Sequence, residues 1–177
     1  MNILCDADGV LTDFFSAALD AHGMLHLAAD WPPGEWDMPM VMGLTQEQFW
    51  RPLDNYEFWR NKIKLYAGAQ EFFDELGKLG SVTICTAPSA DPMSIAGKIN
   101  MLRAELGKDI AVMAGSRKYL MAKHGNVLVD DNDANCDLFA ASGGEYVVVP
   151  RPWNRLHGPT GPQVYWDVLT LVKGFVR

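Results

Sequence analysis

Short apolar runs recur along the chain at Ile3–Cys5, Ser81–Cys85, Ile110–Met113, Val127–Val129 and Tyr146–Val149. They are too short for helices and do not alternate strictly with polar residues, so they predict strands buried on both faces of a parallel sheet. Helical spacing fills several of the intervals. Phe72, Phe73, Leu76 and Leu79 mark a helix over Ala69–Leu79, and Ile95, Ile99, Leu102 and Leu106 mark another over Ser94–Leu106. A third is predicted over Ala134–Ala141 with Asp133 as its cap, and Val164–Val176 reads as a closing helix that covers the sheet. Alternating strands and helices predict an α/β fold: a Rossmann-like parallel sheet sandwiched by helices, with right-handed crossovers.

The segment from Phe14 to Tyr66 breaks this rhythm. It has no convincing strand, a turn at Pro32-Pro33-Gly34, and a concentration of Trp31, Trp36, Trp50 and Trp59. Amphipathic stretches at Phe14–His22 and Thr45–Trp50, the second opened by a Thr45 cap, predict a small helical insertion. The expected organisation is a core of residues 1–13 and 67–177 with a helical cap, 14–66, overhanging the end of the first strand.

Composition narrows the function classes. A chain of 177 residues, 49% of them apolar, suits one domain with a modest insertion. A net charge of −7 disfavours a general nucleic-acid or anionic-membrane binder, which clustered Lys and Arg would serve. No apolar run approaches the roughly 20 residues of a membrane span. Chemistry-bearing sequence begins almost at Met1, which leaves no room for a signal peptide, so a cytoplasmic location is expected. The odd set Cys5, Cys85 and Cys136 reads as reduced core thiols.

Ligands of open α/β sheets bind outside the carboxyl ends of the strands. Here those ends carry Asp6 and Asp8, Thr86, the turn Ser116–Lys118, the pair Asp130-Asp131, and Arg151 to Asn154. Two carboxylates as close as Asp6 and Asp8 repel unless a cation lies between them, and oxygen donors without His or Cys suit magnesium. Gly9 lets the chain turn sharply out of the sheet. The set fits phosphoryl transfer: a carboxylate attacks phosphorus, Lys118 and Thr86 bind the other oxygens, and Asp8 moves the proton. Each residue also has a plainer reading. Asp6 and Asp8 could form turns, Asp130 to Asp133 could merely start a helix, Lys98 could be a solvated helix lysine, and the aromatics could be core.

In order, Asp6-Ala7-Asp8-Gly9-Val10, Ile84-Cys85-Thr86, Lys118 and Val129-Asp130-Asp131 resemble the four motifs of the haloacid dehalogenase superfamily of phosphohydrolases. Within it the chain is most similar to the 5′(3′)-deoxyribonucleotidases, through Asp8 to Phe14, Leu65-Tyr66-Ala67-Gly68-Ala69, Ile84 to Pro88, Lys98 before Leu106-Gly107, and Arg117-Lys118. The resemblance implies a haloacid dehalogenase-type fold, with Asp6 as nucleophile and Asp8 as acid and base. It implies magnesium on the Asp6 carboxylate, the Asp8 backbone oxygen and Asp131. Thr86, Lys118 and Lys98 would hold phosphate, and Phe14 and a cap aromatic, Trp50 first and Trp59 in reserve, would contact a nucleoside. Ala87 replaces the family's usual Ser, and Ser116-Arg117 its usual Arg-Asp pair, which puts substrate preference in question. The longer interval to Asp130 makes Lys123 a competitor of Lys118. The expected partner is a small phosphate ester, a nucleoside monophosphate first, with a homodimer left open. A phosphatase of another metabolite such as a sugar phosphate, or a nucleotide binder without turnover, is the alternative.

Overall fold

The computed structural model describes residues 1–159 and 161–176. Five strands, β1 (Asn2–Cys5), β2 (Ser81–Thr86), β3 (Ala111–Ala114), β4 (Asn126–Asp130) and β5 (Glu145–Val148), form one sheet in the order β3-β2-β1-β4-β5. Every neighbouring pair is parallel, and β1 lies at the centre with Ile3 level with Val82 on one side and Val127 on the other. Seven α-helices accompany them among the described residues: α1 (Phe14–Ala21), α2 (Met38–Val41), α3 (Gln46–Trp50), α4 (Ala69–Leu79), α5 (Pro92–Leu106), α6 (Asp133–Ala141) and α7 (Gln163–Lys173).

The apolar runs are explained by burial on both faces of the sheet. Ile3, Cys5, Ile84, Val127 and Val129 belong to the larger core, which also holds Phe72, Leu76, Leu102 and Val168. Leu4, Cys85 and Leu128 point the other way, onto Cys136 and Phe139 of α6. Each strand lies within a residue or two of its predicted run. All three cysteines are buried and unpaired, as expected. No described helix is long and apolar enough to cross a membrane.

Three element boundaries differ from expectation for local reasons. Helix α5 begins two residues early, because Asp91 accepts a hydrogen bond from Met93 N and Pro92 takes the first turn, where a missing N–H costs nothing. Helix α6 is capped by Asn132 rather than Asp133: Asn132 Oδ1 accepts from Asn135 N at 2.9 Å, and Asp133 instead pairs with Arg155. Helix α7 stops at Lys173, where Gly174 follows.

Between β1 and α4 the chain is helical, as its sequence predicted, and Thr45 opens α3 through a capping box with Gln48. A single π-type turn over Phe58–Lys62 packs against α5. The approach is close at Gly97, where an added Cβ would lie 2.5 Å from the Tyr56 carbonyl oxygen. The entry and exit of this segment run side by side: Asp13 N donates to Lys64 O and Tyr66 N to Leu11 O, both at 2.9 Å. The parallel sheet therefore sends the carboxyl end of every strand to one side, and the helical segment leaves and rejoins the core at adjacent points.

Candidate active site

The loop after β1 is shaped by its own backbone. Asp6 N donates to Val129 O at 2.9 Å, which prolongs the β1–β4 pairing by one residue. Gly9 then adopts φ 77°, the left-handed conformation that side chains oppose, and Gly9 N donates to Thr12 O. Thr12 Oγ1 donates to Asp8 Oδ1 at 3.0 Å. From behind, the buried Arg151 donates from Nε to Gly9 O and from Nη2 to Val10 O, while Tyr165 Oη donates to Val10 O at 2.7 Å.

Lys118 is the positive centre of the site. It is 3% exposed and lies 2.8 Å from Asp6 Oδ1 and 2.6 Å from Asp130 Oδ2. Burial pushes its ammonium towards neutrality, but Asp6 and Asp130 outweigh this and raise its pKa. Lys123 is exposed and takes no part, so Lys118 holds the position for which the two competed. Asp130 is also bonded by Asn132 N and Asn135 Nδ2, so its carboxylate is committed to holding Lys118 and the turn into α6.

Asp6, Asp130 and Asp131 bring carboxylate oxygens within 4.8 Å of one another. Burial raises the Asp6 pKa to about 7, with Asp130 and Asp8 adding to the rise and Lys118 opposing it. Burial, followed by Asp130 and Asp6, likewise raises Asp131 well above the usual carboxylate range. Asp131 Oδ2 accepts from Trp153 Nε1 at 2.7 Å, whereas its buried Oδ1 has no hydrogen-bond partner. An unpaired buried carboxylate oxygen is costly, and a hard divalent cation shared with Asp6 would relieve both that cost and the mutual repulsion. The all-oxygen set fits magnesium.

Lys98, on α5, departs from the solvated helix lysine of the plainer reading, for it is only 2% exposed. Its ammonium pairs with Asp8 Oδ2, donates to Thr86 Oγ1 at 3.0 Å and to Ala87 O at 3.2 Å, and lies 4.0 Å from the centre of the Trp59 ring. It thus joins the acidic loop, the end of β2 and the helical insertion.

These groups face a cavity of about 530 Å³. Asp6, Asp8, Lys98, Lys118 and Asp131 line its inner end, with Ala87, Pro88 and Ser89 on one rim. Phe14, Trp50 and Trp59 are in the same lining; Phe14 stacks on both of the others, its centroid 5.2 Å from Trp59 and 6.1 Å from Trp50. Of the residues to which the resemblance gave a role, Thr86 alone is not in the lining. It is fully buried beneath it, with its hydroxyl engaged by Lys98.

Sequence reasoning left several contributors unassigned. Trp153 was given no role within the strand-end run Arg151 to Asn154, nor was Asn154, whose Nδ2 donates to Asp131 O and Val149 O. Arg151, also of that run, lies behind the loop after β1, bonded to Gly9 O and Val10 O. Trp36, Met38 and Gln46 of the insertion complete the outer wall.

No protein-family model matches the sequence, and no curated protein does. Solved structures do. A haloacid dehalogenase-like hydrolase from Xanthomonas campestris superposes with TM-score 0.62 at 12% identity, covering 99% of this chain and 91% of that one. A Thermotoga maritima protein assigned as a beta-phosphoglucomutase gives 0.60 at 16% identity, with 98% of each chain covered. The fold is of the haloacid dehalogenase type. The magnesium complex of such an enzyme from Bacteroides thetaiotaomicron also superposes, with TM-score 0.50, 12% identity, and 85% and 93% of the two chains covered.

Proposed function

We propose that this chain is a magnesium-dependent phosphomonoesterase of the haloacid dehalogenase superfamily that works through an aspartyl-phosphate on Asp6. The observation that carries the reading is the triangle at the strand ends: Asp6 beside Lys118 at 2.8 Å, sharing a buried cluster with the unpaired Oδ1 of Asp131. The cation would be held by the Asp6 and Asp131 carboxylates and the Asp8 backbone oxygen. When bound it neutralises charge on the phosphoryl oxygens and on the carboxylates around them.

The protein's own residues account for the rest. Lys118 and Lys98 hold the phosphate oxygens, with Thr86 orienting Lys98. Asp6 attacks phosphorus as the ester P–O bond breaks, and Asp8 gives a proton to the departing oxygen. Asp8 then takes a proton from the water that attacks the phosphoaspartate, which frees inorganic phosphate and restores Asp6. Residues 14–66 act as the cap, whose aromatic wall excludes water and contacts the leaving group.

For that leaving group the favoured reading is a nucleoside, because Phe14, Trp50 and Trp59 present a stacked apolar wall suited to a planar base. A sugar phosphate is the second reading, supported by the fold shared with the Thermotoga maritima protein and by the polar Asp37, Gln46 and Ser89 in the cavity lining. Phosphate release measured over a panel of deoxyribonucleoside monophosphates, ribonucleoside monophosphates and sugar phosphates in magnesium decides between them. Turnover of nucleotides at least tenfold above sugar phosphates is expected; the reverse order selects the second reading, and no turnover of any ester removes both.

A further inference from the structure

Asp131 is held on almost every side. Trp153 Nε1 donates to its Oδ2 at 2.7 Å and Asn154 Nδ2 to its backbone oxygen at 2.9 Å. Gly9 closes the opposite flank: a Cβ at that position would lie 2.0 Å from Asp131 Oδ2. That oxygen is therefore confined between the Gly9 backbone and the indole, and only Oδ1, buried and unbonded, remains to be offered.

The indole is itself anchored. Trp153 packs on Phe15 with centroids 4.6 Å apart, and Phe15 meets Trp31 edge-on at 4.7 Å. Pro152 O accepts from Gly34 N at 2.8 Å, so the loop after β5 is tied to the insertion on its far side. Neither the ring nor the carboxylate is free to turn.

The number of oxygens a carboxylate offers separates the two common hard cations. Calcium takes 6–8 oxygens, roughly 2.3–2.6 Å away, and readily binds a carboxylate through both of them. Magnesium demands a near-ideal octahedron at about 2.0–2.1 Å and is matched to single-oxygen donors. We infer that Trp153 is a positioning residue that makes Asp131 a one-oxygen ligand and thereby sets the preference of the site for magnesium over calcium. The inference rests on the cation site proposed above, but not on the reaction or its substrate.

The test is calorimetric titration of the metal-free full chain with magnesium and with calcium, for wild type and Trp153→Phe, without substrate. Phenylalanine keeps an aromatic ring against Phe15 while removing the N–H donor, and the loss of buried volume it brings should act on both ions alike. Partners of this kind typically change metal affinity by about 10–100-fold. Magnesium affinity should fall by about tenfold or more and calcium affinity by clearly less, so that the ratio narrows. Equal losses for both ions, as a merely structural role would give, or no loss, overturns the role of Trp153. Should the variant not fold, the indole N–H resonance of Trp153 in the wild type, assigned by its contacts to Phe15, keeps the question open to test. It should move differently with magnesium than with calcium, and an unmoved resonance overturns the inference. A wild type that binds neither ion sinks the cation site itself, whereas normal binding without phosphate release sinks only the proposed reaction.

Discussion

In the cavity lining Asp6, Lys118 and Asp131 are buried ionisable groups on the turns that follow β1, β3 and β4, with Asp130 bonded to Lys118. Phe14, Trp50 and Trp59 in the same lining are apolar and carried on short helices and a π-type turn. The charged end is fixed by backbone register: Cys5 lies level with Val129, and the next residues on each strand are Asp6 and Asp130. The aromatic end is fixed mainly by ring packing, helped by the bond from Trp50 Nε1 to Gln46 and the contact of Lys98 with Trp59. Chemistry at the first region should therefore be intolerant of single-atom changes, while the second should grade its response with the area it loses.

The sharpest way to break this contrast is Asp6→Asn, which exchanges one carboxylate oxygen for an amide. Phosphate release should fall by about 10⁴-fold or more, the scale on which nucleophile removal acts. Nucleoside binding, followed by tryptophan fluorescence, should be nearly unchanged. Retained turnover would remove Asp6 from the mechanism.

Trp50→Ala probes the other region. It deletes a half-buried indole of the aromatic lining, and stacking of a base on such a ring is worth about 1 kcal/mol beyond its area, so kcat/KM for a nucleoside monophosphate should drop by about fivefold. An artificial aryl phosphate too short to reach the wall should lose little. Equal losses on both would place Trp50 in the framework and outside recognition.

The smallest effect concerns pH. Burial holds the Asp6 carboxyl at about 7, above its unfolded value of about 3.9, so the folded state binds the proton more tightly than the unfolded one. The stability this contributes is complete below about pH 4 and is lost as pH rises through about 7. Melting of the metal-free protein should fall by a few degrees across that window relative to Asp6→Asn, and magnesium, which favours the ionised form, should flatten the slope. Parallel melting curves for the two proteins would count against a buried, proton-holding Asp6.

The same contrast explains what could be read in advance. The charged residues follow directly on strands whose unbroken apolar runs announce burial on both faces, so finding the strand locates the carboxylate. Lys118 needed only that β3 end near Ala114. The burial of Lys98 was less legible, since the ring that covers the ammonium, Trp59, lies 39 positions earlier in the insertion. Trp153 was out of reach altogether. Its bond to Asp131 depends on how the loop after β5 folds back, and no local spacing encodes that. Asn132 displaced Asp133 as the α6 cap because Asp133 was drawn to Arg155, a competition invisible until both were in space.

The guanidinium behind Gly9 carries a consequence for the order of assembly. Arg151 and Tyr165 reach back across sequence separations of 142 and 155 positions to clasp the carbonyls of Gly9 and Val10. Contacts this distant form only after the intervening chain is complete and its loop entropy has been overcome. During synthesis, then, the loop after β1 receives its final shape only once Arg151 and Tyr165 have been made. A nascent chain can have most of its sheet in place while the Asp6–Val10 loop is still unformed.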